Sequence, residues 1–334
     1  MDTLTAIFVF IVGAMTGSFL NVCIVRLPRR ESIVVPRSRC VHCQKQIPWY
    51  DNIPLLSYWI LKRCCRFCGK PISFRYFVVE VLTASLFLFF YLRFGLTSVF
   101  LSYLVFLMGL IIATFIDLEL RIIPDEISVG GMFVGFLASL MVPALHETSF
   151  PILGWGRLLM RIIVGICVAA MLWDFLSKRE VLEKGDIKFF TFIGVVLLMD
   201  LGIELFLPPI GAVLKGSSIY LLGLDAAIIG AMIGGGAIYV MGLLGDFLFK
   251  RESMGGGDVK LMAMIGAFLG WKLVVLSFFV APFFGAIYGI IEKLRTKDSA
   301  IAYGPFLSLG ALVCLFWGET ILSWIFAGPL LQIP

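Results

Sequence analysis

The stretch Thr97-Ser-Val-Phe-Leu-Ser-Tyr-Leu-Val-Phe-Leu-Met-Gly-Leu-Ile-Ile-Ala-Thr-Phe-Ile-Asp117 decides the fold. Residues 97–116 carry no Asp, Glu, Lys or Arg, and the charges resume at once with Asp117, Glu119, Arg121, Asp125 and Glu126. A helix needs about 20 mostly apolar residues to cross the hydrocarbon core of a bilayer. Backbone groups find no water there, so such a run crosses as helix. Working outward, comparable runs lie at 4–25, 77–93, 127–144, 157–176, 189–207, 226–248, 259–275, 276–292 and 303–327, about ten in all. The pair within 259–292 is short for two full crossings. The whole composition agrees: of 334 residues 60% are hydrophobic and 15% charged, with mean hydropathy +1.01. Soluble chains are about a quarter charged. A soluble enzyme, a disordered chain and a nucleic-acid module are excluded, and an all-α polytopic membrane protein is expected. The first run lacks a small-residue cleavage site and reads as a retained helix.

The net charge of +5 is less informative than its placement. Arg26 to Arg75 holds eleven Lys and Arg against two acids, Glu31 and Asp51. Further basic groups stand at Lys178, Arg179, Lys184, Lys188, Lys250, Arg251, Lys260, Lys293, Arg295 and Lys297. With these spans all of them fall on one side, which the positive-inside rule makes the cytoplasm. Both termini then lie outside, and the basic loop reports topology rather than a nucleic-acid partner.

Residues 26–76 form the only long polar stretch, a small cytoplasmic insert. It contains Cys40-Val-His-Cys43 and Cys65-Arg-Phe-Cys68. Two such knuckles about 20 residues apart are the pattern of a tetrathiolate zinc site. Four sulfurs close the metal shell, so a zinc held by Cys40, Cys43, Cys65 and Cys68 is structural. It supplies folding energy that so small an insert cannot draw from a core. Cys64 blurs the register and His42 is a weaker ligand candidate. Two disulfides are the alternative, disfavoured in a reducing compartment. Cys23, Cys167 and Cys314 lie in apolar runs and read as small core residues.

Ionisable groups at membrane depth are functional candidates by default. Asp117 closes one span, and Asp258 opens another in Met254-Gly-Gly-Gly-Asp258-Val-Lys260. Both are expected on the cytoplasmic side. Two carboxyls in one site share a proton, and such a pair can activate water while protonating a peptide carbonyl. The glycines ahead of Asp258 let backbone approach a ligand. On the residues alone, a helix-capping role for each aspartate is an equal alternative. For Asp174, Asp200, Asp225 and Asp246 the capping or solvated reading is the stronger.

These residues, in this order, resemble the bacterial type IV prepilin peptidase family. The likeness is carried by Gly17-Ser-Phe-Leu-Asn-Val22, Arg26-Leu-Pro28, the two cysteine knuckles, Trp49-Tyr-Asp-Asn-Ile-Pro-Leu-Leu-Ser57, Ile72-Ser73, Arg75-Tyr76, Val79-Glu80, Ile116-Asp117, Pro124-Asp125, Gly255-Gly-Gly-Asp258-Val-Lys260 and Tyr303-Gly-Pro305. The resemblance implies a membrane aspartyl peptidase of the inner membrane, serving type IV pilus or type II secretion systems. It makes Asp117 and Asp258 the catalytic pair, with Gly255, Gly257 and Lys260 as active-site support. It implies that the basic leaders of prepilins or pseudopilins are cleaved at the cytoplasmic face. The new amine is then methylated from S-adenosyl-L-methionine; no G-x-G-x-x-G follows a strand, so the donor site is not of the soluble kind. Membrane lipids, not nucleic acid, are the remaining partner. The chain divides accordingly into a first helix (1–25), the insert (26–76) and the peptidase domain (77–334).

Within that domain the sequence repeats. Asp174 to Gly194 recurs at an offset of 72 as Asp246 to Gly266, with eleven of 21 positions identical. The first copy reads Glu183-Lys184-Gly185-Asp186, which replaces two of the three glycines with charged bulk. Asp186 is therefore read as a degenerate duplicate of Asp258; the alternative is that Asp186 tunes or replaces Asp258. The stretch 117–126 is the acidic exception on a basic face, and Glu119, Asp125 and Glu126 are candidates to hold a basic leader; a solvated loop is the alternative. Two other function classes remain open: a non-enzymatic scaffold of a pilus or type II secretion assembly, and a transporter with a carboxylate proton relay. A scaffold does not need both Asp117 and Asp258. The transporter is disfavoured because the copies are parallel and their acids sit at the membrane face.

Overall fold

The structure is a computed structural model, and it describes residues 2–146, 218–250, 254–296 and 302–326. Among the described residues there is no β-strand, only two isolated bridges. Among the described residues six helices are long and apolar enough to cross a bilayer. The chain forms two compact units, Met1–Ile127 and Ser128–Pro334.

The first unit contains α1 (Thr3–Arg26), a short α2 (Leu56–Ile60), α3 (Phe74–Phe94) and α4 (Ser98–Leu120). α1 is apolar on every side, so size rather than polarity selects its inward face. Phe8, Ile11, Met15 and Phe19 are exposed, as suits a lipid-facing side, while Gly13 and Gly17 are turned to α3. A Cβ at Gly13 would stand 2.8 Å from Ala84 Cα, and one at Gly17 2.8 Å from Glu80 Cα. Small residues one turn apart let membrane helices meet at this range. α3 is capped by Ser73, whose hydroxyl accepts from the Arg75 N–H at 3.3 Å, and α4 by Thr97, which accepts from the Phe100 N–H at 3.2 Å. α4 stops where Arg121 turns left-handed (φ 55°), three residues ahead of Pro124.

The second unit contains α5 (Asp125–Met141, its first turn falling in the first unit), α6 (Ser218–Phe249), α7 (Gly256–Thr296) and α8 (Gly304–Phe326). α6 and α7 cross where Gly230 faces Gly266, and a Cβ on either would overlap the other's carbonyl oxygen. Gly135 of α5 packs likewise on Ala267 and Phe268 of α7, and Gly310 of α8 on Ser277 and Ala281 of α7.

The spans expected at 4–25, 77–93, 97–116, 226–248 and 303–327 correspond to α1, α3, α4, α6 and α8. The two expected at 259–275 and 276–292 are one run, α7, whose backbone leaves helical geometry at Gly270 (φ 73°, ψ 175°). The break comes five residues earlier than the sequence boundary, because a run apolar on nearly every side has no period to mark it, whereas the pairing of this φ with an extended ψ is open to glycine alone. The span at 127–144 is α5, at 17 residues somewhat shorter than a full crossing. Those at 157–176 and 189–207, with Cys167 and Asp186, lie outside the described residues.

Candidate active site

Asp117 occupies the last turn of α4 and is 5% exposed. Its carbonyl accepts the N–H of Arg121 at 2.9 Å, closing the helix. The carboxylate thus stands at the negative end of a helix dipole, on a span with no other charge until its final residues. Two residues on, Glu119 is ion-paired with Arg75 of α3. A basic leader would have to displace that arginine. Asp125 and Glu126 are exposed in the first turn of α5, where negative charge suits the helix N-terminus.

Asp258 lies in the first turn of α7, at the positive end of that dipole. Its N–H donates to the Gly255 carbonyl at 3.1 Å. A Cβ at Gly255 would stand 3.8 Å from the Asp258 carboxylate and within 4 Å of nothing else among the described residues. Gly257 is half-buried, and Lys260 is 8% exposed on the following turn. Tyr303, one residue ahead of α8, lies within electrostatic reach of Asp258. The second unit therefore gathers Asp258, Lys260 and the Tyr303-Gly-Pro305 segment around the start of α7.

The four cysteines of the insert converge. Their sulfurs all lie within 4.8 Å of one another, with Cys40 to Cys68 at 3.9 Å and Cys43 to Cys65 at 4.0 Å. Ligands about 2.3 Å from a tetrahedral zinc stand about 3.8 Å apart. A disulfide would need about 2 Å, and all seven described cysteines are free. The cluster could hold a metal ion, and it settles the register: Cys64 and His42 are outside it. The two knuckles are built alike. The Cys40 and Cys65 N–H groups donate to the Lys45 and Lys70 carbonyls at 3.0 and 2.9 Å. The left-handed corner falls on Gln44 (φ 58°) in one and Gly69 (φ 66°) in the other. N–H groups of Cys68 and Phe67 bring the Cys65 thiol down to about 7. Beside the cluster, Arg66 grips the buried Asp51 carboxylate with two bonds at 2.6 and 2.7 Å and holds it below the usual carboxylate range. The sequence reading gave neither Arg66 nor Arg75 a partner; both pairs join residues distant in the chain, which spacing cannot reveal.

A polytopic helical membrane protein with a four-cysteine insert and an aspartate at each of two helix ends is therefore the class that the fold defines. Residues 11–94 match the family model for the bacterial peptidase A24 N-terminal domain. The model for the type IV leader peptidase family matches twice, over 104–214 and again over 200–290, as the internal repeat requires. The chain belongs to the type IV leader peptidase family. It is similar to the prepilin leader peptidase/N-methyltransferase of Legionella pneumophila, at 27% identity over 92% of this chain and 90% of that one. The protein so named from Vibrio cholerae is 33% identical over 62% of this chain and 83% of its own length. That from Myxococcus xanthus is 39% identical over 60% of this chain and 65% of its own. No solved structure gives a match.

Proposed function

We propose that this membrane protein cleaves the leader from type IV prepilins or pseudopilins with Asp117 and Asp258, and then methylates the exposed N-terminal amine. The observation that carries this reading is the pair of acids at span ends: a buried Asp117 closing a charge-free helix, and Asp258 opening a glycine-led one. The acids stand at helix ends of opposite sign, and in the reaction they share one proton. The ionised carboxylate takes a proton from water, which attacks the scissile carbonyl. The protonated partner hydrogen-bonds the carbonyl oxygen, and the leaving amine receives a proton as the C–N bond breaks. A substrate helix held in the bilayer presents its cleavage junction in a fixed orientation, which lowers the entropic part of the barrier. Glu119, Asp125 and Glu126 hold the basic leader beside the junction, with Glu119 exchanging Arg75 for a leader cation.

In the second reaction S-adenosyl-L-methionine supplies the methyl group. The neutral amine nitrogen forms a bond to that carbon, the C–S bond breaks to leave a neutral thioether, and the product ammonium returns a proton to solvent. Cys40, Cys43, Cys65 and Cys68 hold a zinc ion that folds the insert. The insert faces the cytoplasm, where its basic residues are retained, and both termini lie outside.

The test is a prepilin in nanodiscs with the full chain, with leader loss and amine methylation read separately by mass. Wild type performs both. Asp117→Asn and Asp258→Asn each lose leader cleavage by about 100-fold or more. Cleavage that survives in either variant would remove that aspartate from the catalytic pair, and a wild type that cleaves nothing would leave the scaffold reading standing.

A further inference from the structure

The insert carries an apolar face that its own fold does not cover. In α2, Leu56, Trp59 and Ile60 are 59%, 52% and 66% exposed. Positions three and four apart share one side of a helix, so these three form a single outward face. The opposite side holds Ser57 and Tyr58, both buried. Ser57 Oγ accepts the Ile53 N–H at 2.8 Å and donates to the Tyr50 carbonyl at 3.4 Å. The arrangement is inverted: a hydroxyl is turned in, while a leucine, a tryptophan and an isoleucine are turned out. A helix that meets only water has the opposite pattern.

The backbone holds this short helix firmly in place. Leu55 ahead of it has φ 65°, and Lys62 and Arg63 behind it have φ 50° and 64°. Residues with side chains keep such left-handed values only where their surroundings impose them. At the end of the helix the Trp59 and Tyr58 carbonyls accept the N–H groups of Lys62 and Arg63 at 3.0 and 2.9 Å. Aromatic rings fasten α2 to the first turn of α3. Tyr58 stacks on Phe77 at 5.4 Å, Trp59 meets the same ring edge-on at 5.5 Å, and Phe74 lies 6.2 Å from Tyr58. Phe74 is itself exposed and heads a stripe of exposed residues along one side of α3, with Leu82, Phe89 and Leu92. α3 is long and apolar enough to cross a bilayer, so that stripe is a lipid-facing side. The α2 face adjoins its end.

The charge beside this face has one sign. From Asn52 to Val79 the chain holds Lys62, Arg63, Arg66, Lys70 and Arg75 and no Asp or Glu. Arg66 and Arg75 are paired with Asp51 and Glu119, whereas no ion pair among the described residues takes Lys62, Arg63 or Lys70. Lys62 and Arg63 are exposed, and the Arg63 guanidinium lies 4.9 Å from the centre of the Trp59 ring.

We infer that α2 is an interfacial anchor: Leu56, Trp59 and Ile60 enter the headgroup layer beside α3, and Lys62 and Arg63 bind the phosphates of anionic phospholipid there. Tryptophan suits that depth, with an apolar ring and one polar edge. Basic residues next to an apolar interfacial face are drawn to anionic leaflets. Continuity with the α3 stripe selects lipid over a protein partner, which would have to displace the headgroups beside α3 in order to cover α2. The inference needs only that α3 spans the bilayer, and it stands apart from the peptidase reading. Cys65 follows Arg63 by two residues, so the anchor also holds the cysteine cluster at the bilayer surface.

The test uses the full chain in nanodiscs of phosphatidylcholine, alone or mixed equally with phosphatidylglycerol. Hydrogen exchange of the wild type needs no substitution. The amides of residues 56–60 exchange at least about fivefold more slowly in the anionic discs, and Lys62→Gln combined with Arg63→Gln cuts that ratio below about twofold. Equal exchange in the two lipids, or an unchanged ratio in the double variant, would overturn the assignment to anionic lipid. A photoreactive benzoylphenylalanine in place of Ile60 then identifies what covers the face, with the same replacement of Leu82 as the lipid-facing control. Lipid adducts at both positions are expected. An adduct at position 60 to a second copy of the chain or to an added prepilin, without lipid, would make the face a protein-docking surface and end the proposal. So would the absence of any adduct at 60 while Leu82 yields one.

Discussion

Two regions of this protein solve the same problem in different ways. Residues 38–72 of the insert leave most of their apolar side chains exposed, Trp49, Leu56, Trp59 and Ile60 among them, and they close around four sulfurs and one bidentate ion pair. α6 and α7 are apolar around their crossing, and they close by bringing Gly230 and Gly266 into backbone contact. In lipid, apolar surface gains nothing by turning inward, so contact is made by removing side chains. In water the small insert cannot pay its chain entropy from burial, so it depends on chemistry at a few atoms.

The sharpest way to break that contrast is to strip the metal. Chelation, or Cys40→Ser, should unfold the insert, since structural zinc supplies about 10 kcal/mol or more in small domains. Limited proteolysis should then cut between residues 30 and 72 and leave α6 to α8 resistant. Equal sensitivity of both regions would mean that the insert has a sufficient core of its own. A smaller effect, confined to the other region, follows from Gly266→Leu. The added side chain has no room against Gly230, and the second unit should lose about 3 kcal/mol, read as a lower thermal midpoint in detergent with metal content unchanged. The smallest is Asp51→Asn. The Asp51 pKa is depressed by Arg66, so its stabilisation is full above the ordinary carboxylate value, near 4, and is lost as pH falls through the depressed value. At neutral pH the variant insert should therefore open more readily in hydrogen exchange. The difference from wild type should shrink in strong acid.

The same contrast explains what could be read from the chain. The cysteine site was legible because its geometry is local: each knuckle is a tight turn, and the spacing encodes it. The spans were legible because the bilayer imposes length. The break at Gly270 was not, since the residues around it are apolar but for Lys272 and carry no period; the glycine ahead of Trp271 and Lys272 was the only hint. A cavity of the first unit that both Asn21 and Glu80 line was hidden for another reason. Asn21 and Glu80 sat in motifs that carried the family likeness, but 59 positions separate them, and only the glycine contact between α1 and α3 makes them neighbours. Glu119 was read by its sign alone, and its arginine partner came from a different helix.

Asp117 and Asp258 are proposed to serve one site. Cysteine cross-linking in membrane vesicles tests it most directly, with Asp117→Cys combined with Asp258→Cys or with Asp186→Cys in the full chain. The account predicts that a short bridging reagent joins positions 117 and 258 and that a bound prepilin slows the reaction. A bridge that forms only between 117 and 186 would contradict it and move the second acid to the first copy of the repeat.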